Sequence, residues 1–124
     1  MATVPMQGVI TLKGATTYGA IIQPARGWLV LDDFKELALD VMVLNSTVAA
    51  GATLASLIFE TAPAVEGPWT AVGTYTTAFT QTRLFLTSRE GGTAQFQRLA
   101  RWKLDPTQAS GNWATTFKVC ATMK

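Results

Sequence analysis

The sequence predicts an all-β chain folded as an antiparallel β-sandwich, most simply a jelly roll of about eight strands. Short apolar or alternating segments recur along all 124 residues, and turn-forming residues separate them. No segment between them is long enough to serve as a crossover helix, which excludes a parallel α/β sheet. The single cysteine excludes a disulfide framework within the chain, so packing alone must hold the fold.

The predicted strands follow one another with a breaker between each pair, such as Gly14, Pro24, Gly51 and Pro106. In chain order, the predicted strands are residues 7–12, 20–23, 27–31, 37–44, 54–61, 69–76, 82–87, 94–104 and 113–122. Only residues 32–38 have a spacing compatible with a helix. We expect a loop or a single turn there, since β-forming residues follow at once.

Two segments predict which face of each sheet points inward. Residues 37–44 place four aliphatic side chains on one face and Asp40 on the other. In residues 113–122, aromatic, aliphatic and Thr side chains alternate with a second set that includes Lys118 and Cys120. One face of each strand is therefore expected to lie in the core. Cys120 is interpreted as a small, at least half-buried apolar residue.

The length corresponds to one domain. Residues 18–124 are expected to form the sandwich, while residues 1–17 form either its first strand or an N-terminal extension that lies along a partner. The first residues lack the basic and apolar regions of a signal peptide. No window is apolar enough for a transmembrane helix, so we expect synthesis in a cytoplasm and no membrane association.

The composition argues against several classes of function. The chain has no histidine, which removes the most common general base and metal ligand, and it contains no nucleophile or phosphate-binding motif. We therefore expect no enzymatic activity, no cofactor and no metal. A net charge of +2 is too small to indicate nucleic acid binding. Charged residues make up only 15% of the chain, which is typical of a subunit that packs against neighbours.

Three groups of residues could carry a function. The acidic segment 32–36 is interpreted as a solvated turn. The basic residues Arg98, Arg101 and Lys103 are interpreted either as side chains packed along an aromatic edge or as interface residues. The four tryptophans could line a sugar-binding face, but core packing, and after it interface anchoring, is favoured. These residues are Trp28, Trp69, Trp102 and Trp113.

One hairpin is the most informative part of the chain. An apolar strand ends in Glu60-Thr61, crosses a turn with Pro63 and Gly67, and returns through a strand that starts at Trp69. An aromatic and basic strand, residues 96–102, follows later. Together these two motifs resemble small β-sandwich proteins of tailed-bacteriophage virions, and most of all capsid decoration (cement) proteins.

The resemblance implies a structural protein on the outer surface of the capsid. Its partner would be the major capsid protein, and its own state a dimer or trimer. It would stabilise the expanded head and have no catalytic residues. We expect the interface among exposed apolar, aromatic and arginine side chains. The candidate interface residues are Val4, Met6, Ile10, Tyr18, Trp28, Phe34, Phe79, Arg83, Arg89 and Arg101.

Two other functions stay open at this point. The chain could be another virion component, such as the base of a head fibre or a tail protein, which predicts ring or fibre symmetry. It could instead be a carbohydrate-binding sandwich, which predicts exposed, coplanar tryptophans on one face.

Overall fold

A computed structural model of the chain describes residues 2–14, 20–48, 56–76, 82–88, 96–105 and 113–124. This part contains nine strands and one turn of 3-10 helix, Ala25–Gly27. The strands are β1 (Ala2–Gly14), β2 (Ile21–Ile22), β3 (Leu29–Val30), β4 (Glu36–Val48), β5 (Ser56–Ala62), β6 (Thr70–Thr76), β7 (Thr82–Ser88), β8 (Leu99–Asp105) and β9 (Trp113–Met123).

The strands form two antiparallel sheets packed face to face. Sheet A has the order β1-β9-β4-β7, and sheet B has the order β2-β8-β5-β6, with β3 also paired to β8. If β2 and β3 are taken as one interrupted strand, each sheet has four strands. Strands that follow one another in the sequence then lie in opposite sheets, except for β5 and β6, which are neighbours in sheet B. This strand order is that of a jelly roll. The predicted fold class is confirmed.

The interruption between β2 and β3 shapes one edge of sheet B. Ile22 pairs with Lys103 and Leu29 pairs with Ala100, so residues 23–28 span the few positions of β8 that lie between. Pro24 has no N–H group to donate to the ladder. The chain there leaves the edge as the 3-10 turn and then rejoins the same neighbour.

The core fills the space between the inner faces of the two sheets. β9 alternates as predicted: each odd-numbered residue from Trp113 to Met123 is buried. The four aliphatic residues predicted to face inward from β4 are at most 4% exposed. Trp102 of sheet B meets Phe117 of sheet A edge to face, with ring centroids 5.3 Å apart, which is a favourable aromatic geometry.

Some predicted boundaries were wrong. β1 spans Ala2–Gly14 rather than residues 7–12, because irregular register between Pro5 and Ile10 disturbs its alternation. β4 continues past Leu44 through a further irregularity to Val48. β8 begins at Leu99, so residues 96–98 of the predicted strand precede it, and residues 94–95 lie outside the described part.

The interpretation of Cys120 as an at least half-buried residue was wrong. Cys120 is exposed, because its neighbours Val119 and Ala121 occupy the inward positions of β9 and strand geometry turns the residue between them to the other face. Within the described residues, no helix is long and apolar enough to cross a membrane.

Candidate interaction surface

The outer face of sheet B carries an ionic cluster. Glu60 on β5 stands directly opposite Arg101 on β8. Its Oε1 accepts a hydrogen bond from Arg101 Nε at 3.0 Å and lies 3.0 Å from Arg101 Nη2, and its Oε2 lies 3.2 Å from Lys103 Nζ. The Glu60 and Arg101 side chains are only 8% and 11% exposed. Both oxygens of this buried carboxylate therefore have a cationic partner, which offsets the cost of removing them from water.

Two tryptophans cover this cluster. The guanidinium carbon of Arg101 lies 3.7 Å from the ring centroid of Trp69 and 5.3 Å from that of Trp28. The two indoles meet edge to face, with centroids 4.8 Å apart and planes at 68°. Arg101 is thus stacked on an aromatic surface while its N–H groups bind Glu60, a combination that a planar guanidinium allows. We call Glu60, Arg101, Lys103, Trp28 and Trp69 the tryptophan cluster.

Gln23 holds Trp28 in place. Its side chain is buried, and its Nε2 donates to the carbonyl oxygens of Met6 (2.8 Å) and Gly27 (2.9 Å). Its Oε1 accepts a hydrogen bond from Trp102 N at 3.2 Å. The Trp28 indole in turn donates to the Gln23 carbonyl at 2.7 Å. The Gln23 amide therefore supplies the hydrogen bonds that the interrupted edge strand lacks, and it ties sheet B to β1 of sheet A.

The turn between β5 and β6 holds Trp69. Gly67 adopts a φ of +97°, a conformation that favours glycine. A Cβ atom there would lie 3.0 Å from Trp69 N and 3.2 Å from Trp69 Cδ1. The indole N–H donates to the carbonyl oxygen of Val65 at 3.1 Å. The glycine therefore allows the ring to fold back over the sheet.

Thr61 joins the same hairpin to the segment before β8. Its buried hydroxyl donates to Leu99 O at 2.8 Å and accepts from Gln97 N at 2.6 Å. Glu60, Thr61, Gly67 and Trp69 are the residues that distinguish the hairpin in the sequence. In the structure they fasten it to the aromatic and basic strand, so the two motifs behind the resemblance are one connected unit.

Exposed apolar side chains lie next to the tryptophan cluster. Ile22 is 44% exposed, Val30 54% and Val65 62%. Ile22 pairs with Lys103, and Val30 pairs with Leu99. On β8, Lys103 and Leu99 lie two residues to either side of Arg101. Ile22 and Val30 therefore flank the place where Trp28 contacts Arg101. Val65 belongs to the Trp69 turn. These three side chains and the cluster form what we call the tryptophan face.

Among the predicted interface residues in the described part of the chain, only Trp28 and Arg101 join the tryptophan cluster. Val4, Ile10 and Phe34 are partly buried against the core. Met6 is 3% exposed; its expected exposure was wrong, because β1 already includes this residue and strand alternation puts it on the same inward side as Val4.

The remaining predicted residues cannot be placed in the same way. Tyr18, Phe79 and Arg89 lie outside the described residues. Arg83 lies on β7 opposite Val41, and its side chain is outside the described part.

The prediction missed Glu60 and Trp69 as members of a site, although both belong to the hairpin that it singled out. Their signal was the pair formed by an acidic residue at the end of an apolar strand and a tryptophan at the start of the next. Arg98, by contrast, lies apart from the cluster and forms an exposed ion pair with Asp32 at 3.3 Å, in line with the solvated turn expected there.

The tryptophans do not form the platform that a sugar-binding face would need. Trp102 and Trp113 are buried, Trp28 and Trp69 are far from coplanar, and Arg101 covers the ring of Trp69. Within the described ranges, no group of three or more His, Cys, Asp or Glu residues could hold a metal ion.

Comparisons with known proteins place the chain in no family. No family model and no curated protein matches it. Among solved structures, a chain from Bacillus endospore appendages, which are described as disulfide-linked pili, is 18% identical, with 98% of this chain and 89% of that chain covered and a TM-score of 0.44. A chain of infectious bursal disease virus, Gx strain, is 12% identical, with a TM-score of 0.46.

The match to the virus covers 97% of this chain but 31% of the viral one, so this chain spans about a third of that protein's length. Both TM-scores lie below 0.5. The two likenesses therefore add nothing to the fold derived above, and they assign neither partner nor activity.

Proposed function

We propose that the protein is a structural component of a virion, a decoration protein that binds the outer surface of the assembled major capsid protein and stabilises the expanded head. The observation that carries this proposal is the connected tryptophan cluster, in which the two phage-like motifs meet. The jelly-roll fold is consistent with it, since viral capsid domains use this fold, although other proteins do too.

The tryptophan face is the surface we assign to the capsid. It combines exposed Ile22, Val30 and Val65 with tryptophan and basic side chains that are largely buried but reach the surface. Apolar anchors beside Trp and Arg are the usual composition of an interface centre. The cluster beneath is already paired, so the surface can bury its apolar side chains without breaking an ion pair.

The proposed mechanism is thermodynamic linkage between binding of this protein and the assembled state of the capsid. A protein that binds only the assembled, expanded lattice lowers the free energy of that state and leaves free capsid subunits unaffected. Many copies on one head turn a modest interface into strong retention. No catalytic step is involved, and we expect no cofactor.

The test is binding of the purified protein to expanded heads that lack it, measured by co-sedimentation. The variant Ile22→Asp/Val30→Asp places two charges on the tryptophan face and should reduce binding at least tenfold. Val9→Asp is the matched control, because Val9 is 63% exposed but belongs to β1 of the other sheet. Equal loss in both variants, or undiminished binding by the double variant, would refute the assignment of this face.

The other virion roles make a different prediction. A fibre base or tail protein would bind purified tails or fibres and leave tail-free heads unoccupied. The same co-sedimentation, repeated with purified tails, separates these roles from the proposed one.

A further inference from the structure

The outer face of sheet A is nearly uncharged at its centre. The central strand β9 presents Thr116, Lys118, Cys120 and Thr122 outward, between β1 and β4. Two threonine pairs cross from β1 to β9, Thr3 with Thr122 at 3.3 Å and Thr11 with Thr116 at 2.8 Å between hydroxyl oxygens. These bonds hold the two strands in register and leave a surface of short side chains.

Two opposite charges interrupt this surface. Asp40 on β4 lies directly opposite Cys120, and Lys118 lies opposite Met42, so the carboxylate and the ammonium group are diagonal neighbours. Neither forms an ion pair with any side chain that the structure describes on this face. The other charges on the described part of the face, Lys13, Glu36 and Lys124, stand near its ends.

We propose that this face binds a second copy of the chain, with Asp40 of each copy opposite Lys118 of the other. One acid and one base at the otherwise uncharged centre of this face are self-complementary under two-fold symmetry, which makes both ion pairs at once. A different partner would have to supply both charges in the reversed arrangement, whereas a second copy supplies them by symmetry.

The sheet geometry fixes where the symmetry axis lies. Adjacent strands are about 4.8 Å apart, and alternate residues along a strand about 6.8 Å. The axis in the interface plane that exchanges Asp40 and Lys118 then passes within about 2 Å of Cys120. Each Cys120 thus faces its counterpart, and the strands of the two copies cross at about 70°, close to orthogonal sheet packing.

The contact is small. Two sheets of four strands that cross in this way overlap over roughly 400 Å² per copy, which is typical of weak, transient interfaces. We therefore expect a reversible dimer that forms at high protein concentration and weakens with added salt. On a crowded lattice, the same contact would link neighbouring copies.

The experiment is a charge exchange followed by analytical ultracentrifugation over a range of protein concentrations. Asp40→Lys and Lys118→Asp should each weaken dimerisation at least tenfold, because each opposes like charges. The double variant Asp40→Lys/Lys118→Asp should restore it. Thermal melting of each variant verifies folding. A wild-type chain that stays monomeric at all concentrations, or a double variant no tighter than the singles, would overturn the proposal.

Cys120 provides a second readout. A short bis-maleimide should link two wild-type chains through Cys120, and the Asp40→Lys variant should lose this product. The control is Cys120→Ser/Val30→Cys, which moves the only thiol to the exposed Val30 position on the tryptophan face. Equal cross-linking in the control would mean random collision and would count against the dimer. The inference does not depend on capsid binding, so a dimer that fails to bind heads refutes only the proposed function.

Discussion

Arg101 contacts different elements of the fold: its guanidinium group binds Glu60 on the neighbouring strand and lies 3.7 Å from the centre of the Trp69 ring. One side chain thus joins β8 to β5 and to the turn that follows β5. Because Glu60 is almost fully buried, this arrangement is a fixed part of the fold rather than a surface ion pair in water.

Replacing Arg101 should therefore destabilise the protein. Among the described residues, Arg101→Ala leaves Glu60 with Lys103 as its remaining cationic partner, and it uncovers the Trp69 ring. We expect the free energy of unfolding to fall by about 2–4 kcal/mol, measured by urea denaturation. Arg101→Lys keeps the charge but not the planar stacking, so its free energy of unfolding should fall by less than that of Arg101→Ala.

Arg98→Ala, at the exposed ion pair with Asp32, is the control and should change the free energy of unfolding by less than about 1 kcal/mol. Equal effects of the two alanine variants would contradict this account.

Gln23 should contribute as much to the free energy of unfolding as an apolar core residue does. Gln23→Ala leaves the carbonyls of Met6 and Gly27 and the N–H of Trp102 without their side-chain partner. We expect a loss of about 2–4 kcal/mol in the free energy of unfolding, since unsatisfied buried groups are costly.

The matched control for Gln23 is Gln97→Ala, because Gln97 is exposed and keeps its backbone bond to Thr61 when the side chain is cut. Thermal melting of both variants compares them directly. A Gln23→Ala protein as stable as Gln97→Ala would mean that water replaces the amide.

Two glycines of β1 should respond differently to the same substitution. A Cβ at Gly14 would lie 2.5 Å from Trp113 Cζ2, whereas a Cβ at Gly8 would have no atom within 4 Å. Gly14→Ala should therefore cost about 1–3 kcal/mol, because the buried indole has to move. Gly8→Ala should be close to neutral. Denaturant titration of the two variants tests this difference, and similar midpoints would show that Trp113 yields without strain.

The fold was more predictable than the surface. The alternation in β9 and β4 gave the inward faces correctly, because period-2 burial is a local property of a strand. The path of residues 23–28 could not be predicted, because it depends on Gln23 reaching Met6 across the sandwich and Trp102 on the neighbouring strand.

The site was only partly predictable, because part of it is a local sequence motif and part depends on contacts between distant segments. The hairpin motif pointed to Glu60 and Trp69, but their meeting with Arg101 depends on strand order, since β8 lies about forty residues further along the chain. The expected exposure of Met6 was wrong, because β1 begins at Ala2, well before the predicted strand 7–12, and its alternation puts Met6 on the inward side with Val4. Cys120 was expected to be at least half-buried because the strand around it is apolar, whereas it is exposed.

The most direct test of the proposed function is electron microscopy of virus particles from which the gene for this protein has been deleted. The account predicts that density disappears from lattice points on the outer capsid surface, and that the heads lose DNA on heating or osmotic shock. Adding back the purified protein should restore both the density and the resistance. Intact heads with unchanged surface density would contradict the decoration role.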